Sequence, residues 1–279
     1  MAVVATGFFD GVHSGHREVI KTLVNEAHRR SDESLIITFW PHPRTVLQNG
    51  ARTLRLLTSL EEKKEMLFSL GVDRVEVLPF SREFSRMTAK EYLRDVVAGR
   101  FGGKAVVLGY DNRMGSDQLT PEQASVTARS LGIDALPAGQ VGGVSSTVIR
   151  KSLSEGLVED AEAMLGYRYL LHGVVVSGKQ LGRTIGFPTA NMQQYEPLKL
   201  VPGRGVYFTE VYTLGGRYYG MTNVGDIVET HIFDFCEDIY GLDIKIKFVR
   251  RLRDGRKFKS LDELKDQLII DEEACRALF

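Results

Sequence analysis

The first half of the chain alternates short β-branched or apolar runs with segments of helical periodicity. The apolar runs are AVVAT, LIITF, VDRVEVLPF and KAVVLGY, and the helical segments are residues 17–30 and 88–97. One face of the first helical segment carries Val19, Ile20, Leu23, Val24 and Ala27. Repetition of strand, helix and strand predicts a parallel sheet with crossover helices, so an α/β domain of Rossmann-like type is expected.

The pattern changes after two short helical stretches, VSSTVIRKSLSEG and VEDAEAMLGY. From Leu170 onward only short turns separate the strand-like segments LLHGVVVSG, GVYFTEVYTL, RYYGMTNVG, VETHIFDF and DIKIKFVRRL. This arrangement predicts an antiparallel β-barrel. A terminal helix is expected at SLDELKDQL, where Ser260 and Glu263 can form a capping box. The predicted domains are residues 1–166 and 167–279.

Length, charge and cysteine content limit the number of domains and the kinds of partner expected for this protein. A chain of 279 residues favours roughly two domains. Lysine plus arginine and aspartate plus glutamate both number 36, so the balance gives no reason to expect nucleic acid or an anionic membrane as a partner. Cys236 and Cys275 are too few for a disulfide framework and are expected to be reduced thiols. With no apolar run of about 18 residues and no signal-peptide layout, a cytoplasmic protein is expected.

The stretch GFFDGVHSGHREVI places His13 and His16 behind two glycines at a predicted strand-to-helix junction. The carboxyl edge of a parallel sheet and the start of a helix suit phosphate groups. Three interpretations of the histidines stay open: a metal pair, for which no third ligand has convincing spacing; two core residues; or imidazoles that hydrogen-bond a nucleotide and stabilise charge at an attacked α-phosphate. In the third interpretation Gly15 is small so that the nucleotide is not obstructed.

Several motifs, in chain order, resemble those of one enzyme family. GFFDGVHSGH resembles the HxGH motif of nucleotidylyltransferases, in the form found in bifunctional bacterial riboflavin kinase/FAD synthetases. FWPHPR, LGYDNRMG and VSSTVIRKSL are similar to the PHP, GxDxxFG and SSTxIR segments of that family. GRTIGFPTAN resembles its flavokinase signature, and VETHIFDF and DIYG resemble its later motifs. The resemblance extends over nearly the whole chain.

The resemblance implies that the first domain is an FMN adenylyltransferase. His13 and His16 would contact the ATP phosphates, with the adenosine over the glycine turn. The other residues implied in ATP binding are Gly7, Phe9, Asp10, Gly11, Gly15, His42, Asp111, Ser145, Ser146, Thr147 and Arg150. Simple helix capping by the serines, a merely rigid loop at His42 and a turn aspartate at Asp111 are the alternatives. Because the FMN phosphate is itself the nucleophile, catalysis would consist of positioning and charge stabilisation, with Mg²⁺.

The resemblance implies that the second domain is a riboflavin kinase. Thr189 and Asn191 offer oxygen ligands of the type that Mg²⁺ prefers, and Glu229 would accept the proton of the ribityl hydroxyl. The nucleotide loop would include Gly182, Arg183, Gly186 and Pro188. The alternatives are a turn with local hydrogen bonds and a solvent-facing glutamate. By alternation, a shared strand face is expected for Glu229, His231, Phe233 and Phe235.

The function implied is a two-step synthesis of FAD. Riboflavin and ATP would give FMN and ADP in the second domain, and FMN and a second ATP would give FAD and pyrophosphate in the first. Two other hypotheses remain: nucleotidyl transfer to a different phosphorylated acceptor, against which GFPTAN argues, and a catalytically inactive nucleotide- or RNA-binding protein. Neutral net charge and the lack of a basic stripe with interleaved aromatics weaken the last hypothesis.

Overall fold

The computed structural model describes residues 1–47, 54–178 and 181–279. Their contacts divide the chain into two compact units, Met1–Ser146 and Thr147–Phe279. Each unit has its own sheet.

The first unit is built on a parallel sheet of five strands within the described residues. The strand order is β3-β2-β1-β4-β5, with bounds β1 Ala2–Thr6, β2 Glu33–Trp40, β3 Arg74–Pro79, β4 Gly103–Leu108 and β5 Asp134–Pro137. The central strand β1 is buried on both faces, as expected for a sheet covered by crossover helices. The α/β prediction is confirmed.

Helices cover both faces of this sheet. They are α1 Ser14–Arg30, α2 Pro43–Leu47, α3 Leu60–Ser69, α4 Ala89–Glu91 with a π-helical continuation Tyr92–Arg100, and α5 Pro121–Ser130. Strand alternation sends Val3 of β1 into the core beside Leu23 of α1, and Val4 into the opposite core beside Leu93. The carboxyl ends of the strands therefore share one edge, where β1 leads into α1.

The second unit contains a closed antiparallel barrel, which confirms the prediction for this half. Around the barrel the described strands follow the order β10-β7-β6-β11-β8-β9. Their bounds are β6 Leu170–Val176, β7 Ala190–Gln194, β8 Gly205–Thr213, β9 Gly216–Val224, β10 Val228–Ile232 and β11 Asp243–Arg253. The helices of this unit are α6 Ser146–Ser154, α7 Val158–Leu165, α8 Leu181–Thr184 and α9 Leu261–Arg276.

Two local expectations for the barrel are corrected. The Phe233 N–H still donates to the Tyr219 carbonyl oxygen at 2.9 Å and its ring contacts that of His231, so Phe233 continues the expected face beyond the end of β10 at Ile232. Asp234 then takes a left-handed φ of 54°, and Phe235 lines a cavity with Thr230 and Ile232, so Phe235 does not share the face of Glu229. At the start of α9 the Ser260 side chain accepts a hydrogen bond from the Glu263 N–H, but the Glu263 carboxylate accepts from the Lys259 N–H. The reciprocal bond of the capping box is therefore displaced by one residue.

Strands β9 and β10 are joined by a tight turn at residues 225–227. The Gly225 N–H donates to the Ile227 carbonyl oxygen at 3.2 Å. The turn fixes a register in which Asn223 of β9 lies opposite Glu229 of β10. The short segment between these two residues is therefore a hairpin turn in this chain.

The helices α6 and α7 pack with the barrel unit, although both precede the predicted boundary after residue 166. The Gly203 N–H donates to the Leu153 carbonyl oxygen at 2.7 Å, and Glu159 of α7 pairs with Arg250 of β11 at 3.4 Å. A Cβ on Gly156 would lie only 2.7 Å from the Tyr207 hydroxyl oxygen, so the turn between the helices lies tightly against β8.

We expect residues 167–279 expressed alone to retain riboflavin phosphorylation but to unfold at a lower temperature than residues 147–279. The longer fragment keeps the packing of α7 against β11. Burial of apolar area contributes about 25 cal/mol per Å² to the free energy of folding. Thermal unfolding followed by circular dichroism, with FMN formation measured on both fragments, tests this. Equal unfolding temperatures would contradict the packing argument, and activity confined to the intact chain would contradict separability.

Candidate functional sites

The turn between β1 and α1 has an unusual backbone. Phe9 has φ of 52°, Gly11 of 80° and Val12 of 37°. For phenylalanine and for a β-branched valine this left-handed region is uncommon and costs on the order of 1–3 kcal/mol per residue. Such a turn persists only where its surroundings hold it, and strained turns cluster at functional sites.

Asp10 is one residue that holds this turn. Its buried carboxylate accepts hydrogen bonds from the Leu57 N–H at 3.0 Å and the Thr58 N–H at 3.1 Å. Its backbone carbonyl accepts from the Ser146 hydroxyl at 3.0 Å. Asp10 was predicted as an ATP contact, and the structure places it as an anchor between the turn and the segment before α3.

His13 and His16 form a stacked pair at the start of α1. The Nδ1 atom of His13 accepts from the His16 N–H at 3.4 Å and so caps the helix. The two rings lie 3.7 Å apart between centroids, at 17°. A Cβ on Gly15 would lie 3.3 Å from the His13 ring, so the glycine leaves room for the imidazole against the helix backbone.

His16 carries a buried nitrogen that can serve a ligand. Among the described residues its Nδ1 atom has no hydrogen-bond partner. Burial, and then the charges of His13 and Lys63, hold the pKa of His16 well below its ordinary value. His16 is therefore neutral at pH 7, with one nitrogen able to donate and the other able to accept. The described residues contain no cluster of three metal-ligating side chains.

An aromatic cavity of about 310 Å³ opens beside the turn. Its walls include Gly7 and the aromatic side chains Phe8, Phe39, Phe80, Phe84 and Tyr92. The Tyr92 hydroxyl is tied to the Thr6 hydroxyl at 2.7 Å. These aromatics come from the ends of different strands and from the segments that follow them, so no local motif in the sequence joined them. A cavity lined by several aromatic side chains suits a planar ring system.

The structure gives the local surroundings of the other residues predicted for the first site. His42 uses Nδ1 to accept from the Arg44 N–H at 3.0 Å, and its ring packs edge-on against Phe8 at 4.1 Å. Asp111 is exposed beyond the end of β4, while the neighbouring Asn112 lines the aromatic cavity. Ser145 is half-buried in the first unit, and Thr147 and Arg150 follow on α6. Their phosphate contacts stay predictions.

The barrel unit has two cavities that share Thr189 as a lining residue. One, of about 430 Å³, is lined by Arg183, Pro188 and the segment 235–240. The other, of about 350 Å³, is lined by Gly182, Glu229, His231 and side chains of α9. Thr189 lines both. The predicted loop therefore separates two ligand-sized spaces, as a reaction between two substrates requires.

Asn191, on strand β7, is a predicted site residue of the barrel unit with a buried polar atom. Its Oδ1 atom has no hydrogen-bond partner in the described part of the chain, although the residue is only 4% exposed. A Cβ on Gly178 would fall 1.9 Å from the Asn191 amide nitrogen, so only glycine permits this approach. A buried amide oxygen of this kind is a ligand suited to a hard cation.

Glu229 stands in a polar row across three strands. Cross-strand register places it opposite Asn191 of β7 and opposite Asn223 of β9. The Asn223 amide donates to the Glu229 carboxylate at 3.5 Å, and the neighbouring His231 contacts the Pro188 carbonyl oxygen at 2.8 Å. Glu229 is half-buried and lines the second cavity, so its carboxylate can reach a ligand there.

The loop before β7 is shaped by its glycines. The Gly182 carbonyl accepts from the Phe187 N–H at 2.8 Å, and a Cβ on Gly182 would lie 2.2 Å from the Phe187 carbonyl oxygen. Gly186 adopts φ of 89°. These two features fold the loop so that Arg183 faces the first cavity of the barrel. Residues 179 and 180 of the same loop lie outside the described residues.

Comparison with known proteins agrees with this division of sites. A family model for FAD synthetase matches residues 1–147, and one for riboflavin kinase matches residues 165–279. Bifunctional riboflavin kinase/FMN adenylyltransferases from Listeria monocytogenes and Escherichia coli are each 35% identical, over 99% of this chain and 92% of theirs. The chain belongs to the bifunctional riboflavin kinase/FMN adenylyltransferase family. The resemblance carried by the sequence motifs is thereby confirmed.

A solved structure shares the fold of this family member. It is the crystal structure of a Streptococcus pneumoniae protein named a macrolide-efflux protein, 32% identical, with a TM-score of 0.91 over 99% of this chain and 94% of that one. Within the described ranges, none of the helices of this chain has the length and apolar character needed to span a bilayer.

Proposed function

We propose that this chain makes FAD in two steps in the cytoplasm, with Mg²⁺ and ATP as in the sequence prediction. The barrel unit phosphorylates riboflavin, and the first unit transfers AMP to the resulting FMN. One observation supports both assignments: each unit contains a ligand-sized cavity and a predicted site residue with a buried polar atom that lacks a partner in the described part of the chain. These atoms are Nδ1 of His16 and Oδ1 of Asn191.

In the first unit the aromatic cavity would take the isoalloxazine ring of FMN. The phosphate of FMN would then lie toward the strained turn and the start of α1, where the helix dipole and His16 favour negative charge. Attack on the α-phosphate of ATP increases the charge on its oxygens in the transition state. A hydrogen bond from a neutral imidazole fixed by stacking stabilises that charge without reorganisation.

In the barrel unit the cavity that contains Glu229 would take riboflavin, and the cavity beside Arg183 would take ATP. Thr189 and Asn191 would hold Mg²⁺, because Thr189 offers a hydroxyl where it lines both cavities and Asn191, opposite Glu229, has an amide oxygen without a partner among the described residues. The cation neutralises charge on the transferred phosphoryl group when it is bound. Glu229 would accept the proton of the attacking ribityl hydroxyl, and Asn223 orients its carboxylate.

Chromatographic analysis of the products tests this function. With riboflavin, ATP and Mg²⁺ supplied, we expect FMN and ADP to appear first, followed by FAD and pyrophosphate. FMN without FAD, even when FMN is supplied directly, would point to a different phosphorylated acceptor in the first unit. If neither FMN nor FAD is formed, the result would favour an inactive nucleotide-binding protein.

Replacing Asn191 by leucine should raise the Mg²⁺ concentration needed for half-maximal riboflavin phosphorylation by about 10–100-fold. Loss of a group that supports a metal site commonly weakens metal binding by that factor. Gln193→Leu, at an exposed position of the same strand, is the matched control. FAD formation from supplied FMN should keep its Mg²⁺ dependence. An unchanged Mg²⁺ requirement of the kinase would remove Asn191 from the metal site.

A further inference from the structure

Lys63 is a buried lysine in α3 that neither the motifs nor the reaction scheme includes. It is 2% exposed and stands at the fourth position of the helix, after the N-cap Ser59. A cation near the amino end of a helix is disfavoured by the helix dipole, and burial of an ammonium group opposes its charge as well. Both effects must be offset by specific contacts.

Those contacts centre on Phe8. The Lys63 ammonium donates to the Phe8 carbonyl oxygen at 2.8 Å and to the Thr38 hydroxyl oxygen at 3.2 Å. It also lies 3.9 Å from the centroid of the Phe8 ring. The Thr38 hydroxyl donates to the same Phe8 carbonyl at 3.3 Å. A single ammonium therefore holds both the peptide and the ring of Phe8.

Phe8 links this ammonium to the adenylyl-transfer site. Its ring lines the aromatic cavity and touches the His42 ring, and its peptide leads into the strained turn at Phe9. Phe8 is thus placed where the proposed flavin cavity and the phosphate-binding turn adjoin. Any rotation of the Phe8 peptide would move both the cavity wall and the phosphate-binding turn.

The Lys63 ammonium interacts electrostatically with two residues near the turn, Asp10 and His16. Burial lowers the pKa of Lys63 to about 8, while the Asp10 carboxylate opposes this change. Lys63 in turn helps to lower the pKa of His16, after burial and His13. The ammonium is charged at pH 7, so it places a positive charge behind a turn proposed to bind two anionic ligands.

We propose that Lys63 is a positioning residue for FMN adenylylation, which fixes Phe8 and supplies positive charge behind the phosphate-binding turn. Its action on the reactants is indirect, through Phe8 and through its field. The inference rests on the proposed adenylyl transfer by the first unit.

The test replaces Lys63 with methionine, which keeps the length of the side chain and removes its charge. We expect kcat/KM of FAD formation from FMN and ATP to fall by about 10–100-fold, since a small displacement of positioning groups can cost about 10²-fold. Riboflavin phosphorylation should be unchanged, because its site lies in the other unit. Lys64→Met on the same helix is the matched control and should leave both activities unchanged.

A pH profile separates this role from simple packing. Because the charged form is the active one, kcat/KM of FAD formation by the natural chain should decline as the pH rises through about 8. Lys63→Met should lack this decline, and Lys63→Arg, which stays protonated, should move it to higher pH. The kinase profile should be the same in all three proteins.

Each outcome decides the proposal. A Lys63→Met enzyme with the natural rate and the natural alkaline decline would overturn it. If the Lys63→Met protein does not fold, it loses both activities together with its thermal unfolding transition, and the Lys63→Arg enzyme is then the test. If kcat/KM of FAD formation by Lys63→Arg still declines near pH 8, the proposal is overturned. A natural chain that makes no FAD contradicts the proposed function instead, so the two failures are distinguishable.

Discussion

Glu229→Gln will lower kcat of riboflavin phosphorylation by about 10²–10⁴-fold, with little change in the KM for riboflavin. Glutamine has nearly the same shape, so the hydrogen bond from the Asn223 amide and the strand register with Asn191 can be kept. What is lost is the ability to accept a proton from the ribityl hydroxyl. The loss should therefore appear in the chemical step rather than in binding.

Steady-state kinetics with riboflavin as the varied substrate measures this effect. Glu273→Gln, at an exposed position of α9 that lines neither cavity, is a matched control that removes one carboxylate from the barrel unit without touching the proposed base. FAD formation from supplied FMN should survive in both variants. A near-normal kinase kcat in Glu229→Gln would return Glu229 to the role of a half-buried strand residue, and the proton would need another acceptor.

His16→Ala will depress FAD formation from FMN by about 10²–10³-fold and leave FMN formation intact. The substitution removes the buried Nδ1 atom that lacks a partner and the ring stacked on His13. The helix cap should persist, because it uses the backbone N–H of residue 16 and the His13 side chain. The expected defect is therefore in transition-state stabilisation, not in the start of α1.

His28→Ala, in the last turn of the same helix, is the control for general effects of losing a histidine. Rates of FMN and FAD formation should be measured on the same preparation, since the kinase reports whether the chain is folded. Equal loss of both activities in His16→Ala would indicate a folding defect and would count against the proposed role.

Local sequence patterns predict a helix or strand well when its apolar periodicity and the turn residues at its ends indicate the same element. α1 has a glycine turn, a cap and five apolar residues at helical spacing, and it was predicted within a few residues of its observed start at Ser14. β7, only five residues long, is not among the strands that the sequence predicts. Its strand character comes from pairing with β6 and β10, which local periodicity does not record.

For the sites too, local sequence patterns do not show contacts between residues that are far apart in the chain. Motifs identified His13 and His16, which stand three residues apart with Gly15 between them, and Asn191, which stands two residues after Thr189. They gave no indication that the Asp10 carboxylate is occupied by the N–H groups of residues 57 and 58, nor that Lys63 lies under Phe8. Those contacts join residues separated by 47 to 55 positions. They depend on how the strands are ordered, and only the assembled sheet shows them.

Because both barrel cavities are lined by Thr189, a single ligand could inhibit the kinase by occupying both. A conjugate that joined a flavin to adenosine through a chain of phosphates would place its two ends in the two cavities and its phosphates near Thr189. Linking the two halves removes the entropy cost of bringing in the second one, so such a bisubstrate ligand should bind far more tightly than either half. The length of phosphate bridge that gives the tightest binding would report how far apart the flavin and the nucleotide are held.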